Sequence, residues 1–410
     1  MKHVTQLKVL MGNEHVGTLA QSPDRRIYFS YAPNWLQDGF DLCPHTLRFT
    51  ADLQLPKSDM FSGLHGVFSD SLPDAWGTML TNRVLKQRFG WNRQDITPLD
   101  RLACIGNRAM GALNYTPAFP SAGQEEQIDL DEMAGLIEAV FCDEEAIVLD
   151  KLLMHGGSPG GARPKVLVAR NPASGTCLSG HEALPPGFSH WLVKFKAPDD
   201  HDPADIGNIE KAYAEMAKAS GVEMPETDLV RIGNGQSCFA VKRFDRTPEG
   251  GRIHMLSLSG WAYADHRIPC LDYDEILKAV RILTQDENEV KKAFRLAVFN
   301  VMAVNKDDHA KNFAFLYQQN RWSFAPAFDL TFNNILNEHT TSTMGRGNPG
   351  RVELVELAEK HGLPRLQANE MIDLAQHTTS LWQKTASDWG VSAKSAEQIE
   401  VVLQQTSKRF

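Results

Sequence analysis

Asn305-Lys306-Asp307-Asp308-His309-Ala310-Lys311-Asn312 is a polar run between two apolar ones. Upstream, Phe294, Ala297, Val298, Val301 and Met302 fall on one stripe of a predicted helix over residues 290–304. Downstream, residues 313–317 read as a strand, Gln318-Gln319-Asn320-Arg321 as a turn, and Trp322-Ser323-Phe324-Ala325 as a second strand. A polar loop at the end of buried elements is where a rigid scaffold presents reactive groups. The hairpin returns the chain through Pro326-Ala327-Phe328-Asp329, which predicts Asp329 near Asp307 and Asn312. Two carboxylates and an amide converging in this way form a hard-oxygen site suited to Mg2+, which leaves its other positions for water and phosphate. The Asp-x4-Asn spacing followed by a hairpin and Asp is also the order in which kinases place a base, a metal amide and a metal carboxylate. The plainer reading, an acidic loop capped by its own Asx turns, explains Asp307 and Asn312 but not their combination with Asp329 and an upstream strand lysine. His309 lacks the second His or Cys of a zinc site and is expected to orient the loop.

The upstream lysine is Lys194. Trp191-Leu192-Val193-Lys194-Phe195 reads as a strand in which Trp191, Val193 and Phe195 share one face, leaving Leu192 and Lys194 on the other. Lys194 is a candidate to reach nucleotide phosphates; facing solvent at a strand edge is its plainer role. Glu210, opening a helix predicted over residues 209–219, is a candidate partner for Lys194, although an acid at a helix start is favoured by the dipole alone. Before these comes His155-Gly156-Gly157-Ser158-Pro159-Gly160-Gly161-Ala162-Arg163-Pro164-Lys165, entering a strand over residues 165–169. Four glycines in six residues let backbone amides approach a phosphate closely, though a flexible turn from helix to strand is also consistent. The run fits neither GxxxxGK[ST] nor GxGxxG.

Further out, composition sets bounds. In 410 residues, 42 Lys and Arg against 51 Asp and Glu give a net charge of −9, which argues against gripping nucleic acid by bulk charge. With 42% hydrophobic and 23% charged residues the chain reads as globular, and no uncharged apolar run approaches the ~18–20 residues of a membrane span. The first ten residues are too polar for a signal peptide, which predicts a cytoplasmic chain. Six cysteines, each more than thirty residues from the next, suggest reduced, buried side chains rather than a metal site or disulfide framework. Thr116-Pro117-Ala118-Phe119-Pro120-Ser121-Ala122-Gly123 reads as a connector, placing a domain boundary near 118/119. Before it, Gln6–Met11 and residues 26–31 read as strands joined by a turn, and Leu72-Pro73-Asp74-Ala75-Trp76 as a helix start with proline just inside it. After it, Met133, Leu136, Ile137 and Val140 mark an amphipathic helix. From about Tyr273 onward the chain reads mainly as helix. Gly345-Arg346-Gly347-Asn348-Pro349-Gly350-Arg351 reads as a mobile surface loop rather than a phosphate contact.

Taken in order, Ser158-Pro159-Gly160-Gly161-Ala162-Arg163-Pro164-Lys165, Val193-Lys194, Val241-Lys242-Arg243-Phe244-Asp245-Arg246, Asn305-x-Asp307-x-His309-x-x-Asn312 and Phe328-Asp329 resemble the HipA-like serine/threonine kinases of bacterial type II toxin–antitoxin systems. Val16-Gly17-Thr18-Leu19, Leu72-Pro73-Asp74, Arg101-Leu102-Ala103-Cys104-Ile105-Gly106 and Met110-Gly111-Ala112-Leu113 extend the resemblance to the front of the chain. It implies an α+β, two-lobed protein-kinase-like fold. A small N-terminal α/β subdomain would occupy residues 1–118, a kinase N-lobe 119–245, and an all-helical C-terminal lobe 246–410. It also implies ATP and Mg2+ as cofactors, Asp307 as base, Asn312 and Asp329 as metal ligands, and Lys194, supported by Glu210, as the phosphate-contacting lysine. Pro159, Gly160, Gly161, Ala162, Arg163, Pro164 and Lys165 would cover the phosphates, with Lys242, Arg243 and Phe244 beside the adenine. His309, Ala310, Lys311 and Phe328 would complete the nucleotide site.

Ser158 falls where the family autophosphorylates to shut itself off; two added negative charges would oppose the ATP phosphates. The sequence departs from the family's best-known loop at Arg163-Pro164, where proline removes an amide donor. The implied partners are a small helix-turn-helix antitoxin of the HipB type, operator DNA mainly through that antitoxin, and a protein substrate such as an aminoacyl-tRNA synthetase or another translation factor. A catalytically silent ATP-binding partner of a transcriptional repressor is the alternative, against which the complete set of Lys194, Asp307, Asn312 and Asp329 speaks. A small-molecule kinase fits the same fold.

Overall fold

Two of the strands read from the N-terminal sequence, Gln6–Met11 and Ile27–Tyr31, form but do not pair with each other. Glu14–Gln21 lies between them, in an antiparallel sheet ordered Ile27–Tyr31, Glu14–Gln21, Gln6–Met11, Leu113–Thr116. The inserted strand is hard to read because the pairing register shifts between Val9 and Leu10 and burial along it does not alternate. The structure, a computed structural model, describes residues 2–119, 127–141, 147–156, 163–179, 184–198, 202–233 and 235–410. The first sheet's core gathers Leu7, Val9, Leu19 and Phe29 with Phe68, Leu99 and Leu102.

The helix expected from Pro73 begins two residues later, at Ala75–Phe89, because Asp74 is extended and stands as its N-cap. This helix comes from the stretch expected to form the first domain, yet its Trp76, Leu80 and Val84 pack into the next core. That core belongs to a five-stranded antiparallel sheet ordered Cys177–Ser179, Lys165–Arg170, Ser189–Lys194, Ser237–Lys242, Thr227–Arg231. Val166, Val168, Trp191, Val193 and Phe195 point to one face, against the helix Leu130–Phe141, as the alternation predicts. Register pairs Lys165 with Lys194 and Lys194 with Phe239, so both lysines stand on the opposite face.

The helix Ile206–Ala219 crosses close to this sheet at Gly207, where a Cβ would overlap the Ser237 carbonyl oxygen. Its apolar side, Ile209, Ala212, Tyr213 and Met216, joins the C-terminal core. At the centre of that core is Glu287–Met302, capped by Asp286, whose side chain accepts from the Asn288 amide at 2.8 Å. The expected stripe is there, but residues 296–302 are buried all round, because Tyr273–Thr284 and Arg365–Ser380 pack beside this helix. Each fully buried Phe294 or Phe299 contributes about 1.5–3 kcal/mol.

This lobe is mainly helical, but the expectation that it is all helix needs correcting. The hairpin Ala314–Gln318 and Arg321–Phe324 gains a third strand, His254–Ser257, which satisfies the backbone groups of an otherwise open edge. The stretch expected as a mobile loop is also tied down: Thr343 and Arg346 exchange backbone hydrogen bonds at 2.9 Å. Arg351 opens the helix Arg351–Lys360 and donates to Asn369 at 2.8 Å and to the Phe410 carbonyl at 3.0 Å. Cys43, Cys104, Cys177 and Cys238 are buried free thiols and Cys270 is exposed, while Cys142 lies outside the described residues. Among the described residues no helix is long and apolar enough to cross a membrane.

Candidate active site

The lysine-bearing face of the five-stranded sheet and the loop following the central helix enclose a cleft. Lys165, Leu192, Lys194, Phe239, Lys242 and Phe244 line it from the sheet side. His309, Lys311, Asn312, Phe328 and Asp329 line it from the loop and the hairpin exit. The hairpin therefore delivers Asp329 to the region sequence reasoning assigned it.

Lys194 is 8% exposed and donates to Glu210 Oε1 at 2.7 Å while also binding Asp329 Oδ1. Burial works against its charge, but Asp329 and Glu210 outweigh burial and raise it above the ordinary lysine range. Burial likewise opposes ionisation of Asp329, yet Lys194, Lys165 and Arg163 hold its carboxyl well below the usual carboxylate range. Asp329 adopts a left-handed backbone, φ +58°, a conformation Asp tolerates better than most residues. Lys165, 4% exposed, is pushed down to about 8, mainly by burial and also by Lys194, with Asp329 opposing.

In the loop, neighbouring carboxylates take opposite roles. Asp308 is fully buried and accepts from Tyr273 Oη at 2.8 Å, His339 Nδ1 at 3.0 Å and the Thr341 amide at 3.1 Å. These bonds anchor the loop. Asp307 is half-buried, and among the described residues none hydrogen-bonds its carboxylate. Burial raises its pKa, His309 opposes, and Asp329 and Asp308 add to the rise. Asn312 donates from Nδ2 to the Asp307 carbonyl at 2.8 Å and from its amide to the His309 carbonyl at 2.9 Å, closing the turn Ala310–Asn312. The His309 backbone carbonyl closes this turn, but its ring is not seen to orient the loop: Nδ1 is buried without a hydrogen-bond partner among the described residues. Asp307 and Ala310 are not among the residues that line the cleft, although Asp307 is close enough to Asp329 for the two carboxylates to repel.

Other expected contacts are placed differently. Arg163 donates to Asp202 at 2.7 and 3.0 Å and reaches Glu210 at 3.1 Å, so its guanidinium faces acids rather than the cleft, and Pro164 is not on the wall. Arg243 is on the wall, but its side chain is buried against Asp245 at 2.9 and 2.7 Å. Lys242 pairs with Glu226 at 3.1 Å near solvent. Ser158, Pro159, Gly160, Gly161 and Ala162 lie outside the described residues.

Sequence reasoning assigned no role to Asp74, which meets Lys311 across the cleft, or to Asp202, the partner of Arg163. It also missed the apolar slot of Met110, Met224, Met255 and Leu330. Leu72-Pro73-Asp74 was visible as a motif, but nothing local ties it to residue 311.

The donor set fits a hard cation. The Asn312 amide nitrogen is spent on Asp307, which leaves its oxygen to coordinate, and Asp329 is held ionised with a second oxygen beyond the one Lys194 takes. One carboxylate and one amide suit Mg2+ carrying phosphate oxygens rather than a closed protein cage. Among the described residues no group of three or more His, Cys, Asp or Glu forms such a cage.

A family model described as the HipA-like C-terminal domain matches residues 157–385, and one described as the HipA N-terminal domain matches residues 7–116. The chain is 26% identical to a Sinorhizobium fredii protein named "Putative kinase Y4dM", over 98% of this chain and 97% of that one. It is 26% identical to "Putative kinase Y4mE" of the same organism, over 80% and 77%. Among solved structures, it shares the fold of a chain in the Shewanella oneidensis MR-1 toxin–antitoxin complex of HipA, HipB and operator DNA. The TM-score is 0.71, with 17% identity over 98% and 97% of the two chains.

Proposed function

This chain belongs to the HipA family, and on that premise we propose that it is an ATP- and Mg2+-dependent serine/threonine-protein kinase, the toxin of a type II toxin–antitoxin pair. The observation that carries this reading is the ammonium of Lys194 held between Glu210 and Asp329 in a cleft that also presents Asn312. A lysine fixed in this way is aimed at phosphate oxygens without reorganising when they arrive.

In this account Asn312 and Asp329 hold Mg2+, which offsets charge on the transferring phosphoryl group. Lys194 and Lys165 bind the phosphates, and the backbone of residues 242–244 borders the adenine in the apolar slot. Asp307 orients the substrate hydroxyl and accepts its proton. The hydroxyl oxygen bonds the γ-phosphorus as the bond to the β-phosphate bridging oxygen breaks, and ADP leaves. The raised pKa of Asp307 suits a proton acceptor. Ser158 is the proposed autophosphorylation site. The proposed partners are a helix-turn-helix antitoxin of the HipB type, operator DNA through that antitoxin, and a translation factor such as an aminoacyl-tRNA synthetase as substrate.

Titration calorimetry with ATP tests the site itself. ATP should bind more tightly with Mg2+ than with EDTA, and Asp329→Asn should erase that difference. Equal affinity in both conditions would contradict the assignment.

A further inference from the structure

The N-terminal region reaches into the cleft. Its helix Gly66–Ser69 seats on the helix Leu258–Ala262, so close that a Cβ on Gly66 would overlap the Gly260 carbonyl. Just beyond, Asp70 accepts from the Ser257 amide and hydroxyl, both at 2.6 Å. The chain then runs through Pro73 to Asp74, whose carboxylate binds the Lys311 ammonium; the two side chains are 18% and 16% exposed. His266 stands 3.9 Å from the same carboxylate.

Both ends of this ion pair are rigidly held. Asp74 precedes the helix Ala75–Phe89, whose Trp76, Leu80 and Val84 are locked in the core of the five-stranded sheet. Lys311 is the middle residue of the turn Ala310–Asn312, next to the amide that fixes the Asp307 carbonyl. Paired with Asp74, the Lys311 ammonium presents little net charge to a phosphate. Its pairing therefore bears on where the turn sits more than on attraction of the nucleotide.

We propose that Asp74 is a positioning residue: through Lys311 it holds the 310–312 turn, and with it Asn312 and Asp307, which makes the N-terminal region part of the phosphoryl-transfer machinery. The catalytic consequence rests on the kinase reading above. The hold on the turn does not.

The test uses full-length protein carrying Asp74→Asn, Asp74→Glu, Lys311→Met, and Asp74→Asn with Lys311→Met. Amide hydrogen exchange without nucleotide reads the hold, and steady-state transfer from Mg-ATP reads its effect. Exchange at residues 310–312 should rise about tenfold in Asp74→Asn and recover in Asp74→Glu. Turnover should fall about tenfold at an ATP KM within about twofold of the parent, since small misplacements near reacting atoms cost rate. The double variant should be no worse than either single one. Unchanged exchange in Asp74→Asn, or losses that multiply in the double variant, would overturn the proposal. If Asp74→Asn does not fold, Lys311→Met and Asp74→Glu carry the same comparison. A parent that transfers no phosphate defeats the kinase reading, while the exchange result still decides the hold.

Discussion

The Lys194 ammonium donates to Glu210 at 2.7 Å and binds Asp329 with the same nitrogen. The two acids come from different parts of the chain: Glu210 from the helix that crosses the sheet at Gly207, and Asp329 from the exit of the C-terminal hairpin. One lysine therefore ties the sheet, that helix and the hairpin together, and a change in any of the three reaches the phosphate site.

Replacing Lys194 with Met should lower phosphate transfer by about 10²–10³-fold, the range seen when a positioned electrostatic group is removed. Glu210→Gln keeps the shape and an acceptor but loses the charge, so a loss of about tenfold is expected. Initial rates with a protein substrate, at saturating Mg-ATP, measure both.

Gly207→Ala is expected to destabilise the chain by about 1–3 kcal/mol, because the new methyl must displace the helix from the Ser237 carbonyl. Urea unfolding gives the stability. The transfer rate should fall with it, since Glu210 travels with the helix.

Asp308→Ala should cost about 3–5 kcal/mol, leaving Tyr273, His339 and the Thr341 amide without their shared buried acceptor. By contrast, Asp307→Asn should change stability little, because no described residue hydrogen-bonds that carboxylate. Parallel denaturant titrations separate the two neighbours.

Lys165 gives a pH signature. Its pKa is lowered to about 8 by burial, so above that pH the free protein holds it neutral, whereas bound phosphate favours its charged form. ATP binding near pH 9 should therefore take up a proton and weaken as pH rises. Calorimetry in two buffers of different ionisation enthalpy should detect the uptake, and Lys165→Met should remove it. Unfolding is not the cause. A lysine with a depressed folded pKa adds stability as pH rises from about 8 toward the unfolded value of 10.5, where the unfolded chain binds more protons than the folded one.

What the sequence made legible was local. The polar loop after residues 290–302, the hairpin and the alternation around Lys194 could each be read because a few neighbouring residues determine them. The hairpin brings Asp329 back toward Asn312, as its return predicts, whereas its contact with Lys194 is set by packing between elements. Long-range pairings were hidden. Asp74 meets Lys311 across 237 positions, Arg163 turns to Asp202 and Glu210, and Arg243 is spent on Asp245, facts set by packing between elements. The strand Glu14–Gln21 was missed for a different reason. Its register shift breaks the alternation that marks a strand. The Gly-rich run 157–162 stays an expectation from its residues, and Ser158 with it.

Incubation with Mg-ATP and a protein extract, followed by intact-mass analysis and peptide mapping of the parent and of Asp307→Asn, reads phosphoryl transfer by this site. With the parent, a phosphate is expected on Ser158 and on an extract protein. With Asp307→Asn, transfer should be slower by about 10²–10⁴-fold at unchanged ATP affinity. ATP binding by the parent with no transfer to itself or to any extract protein, or equal transfer by the variant, would contradict the kinase reading.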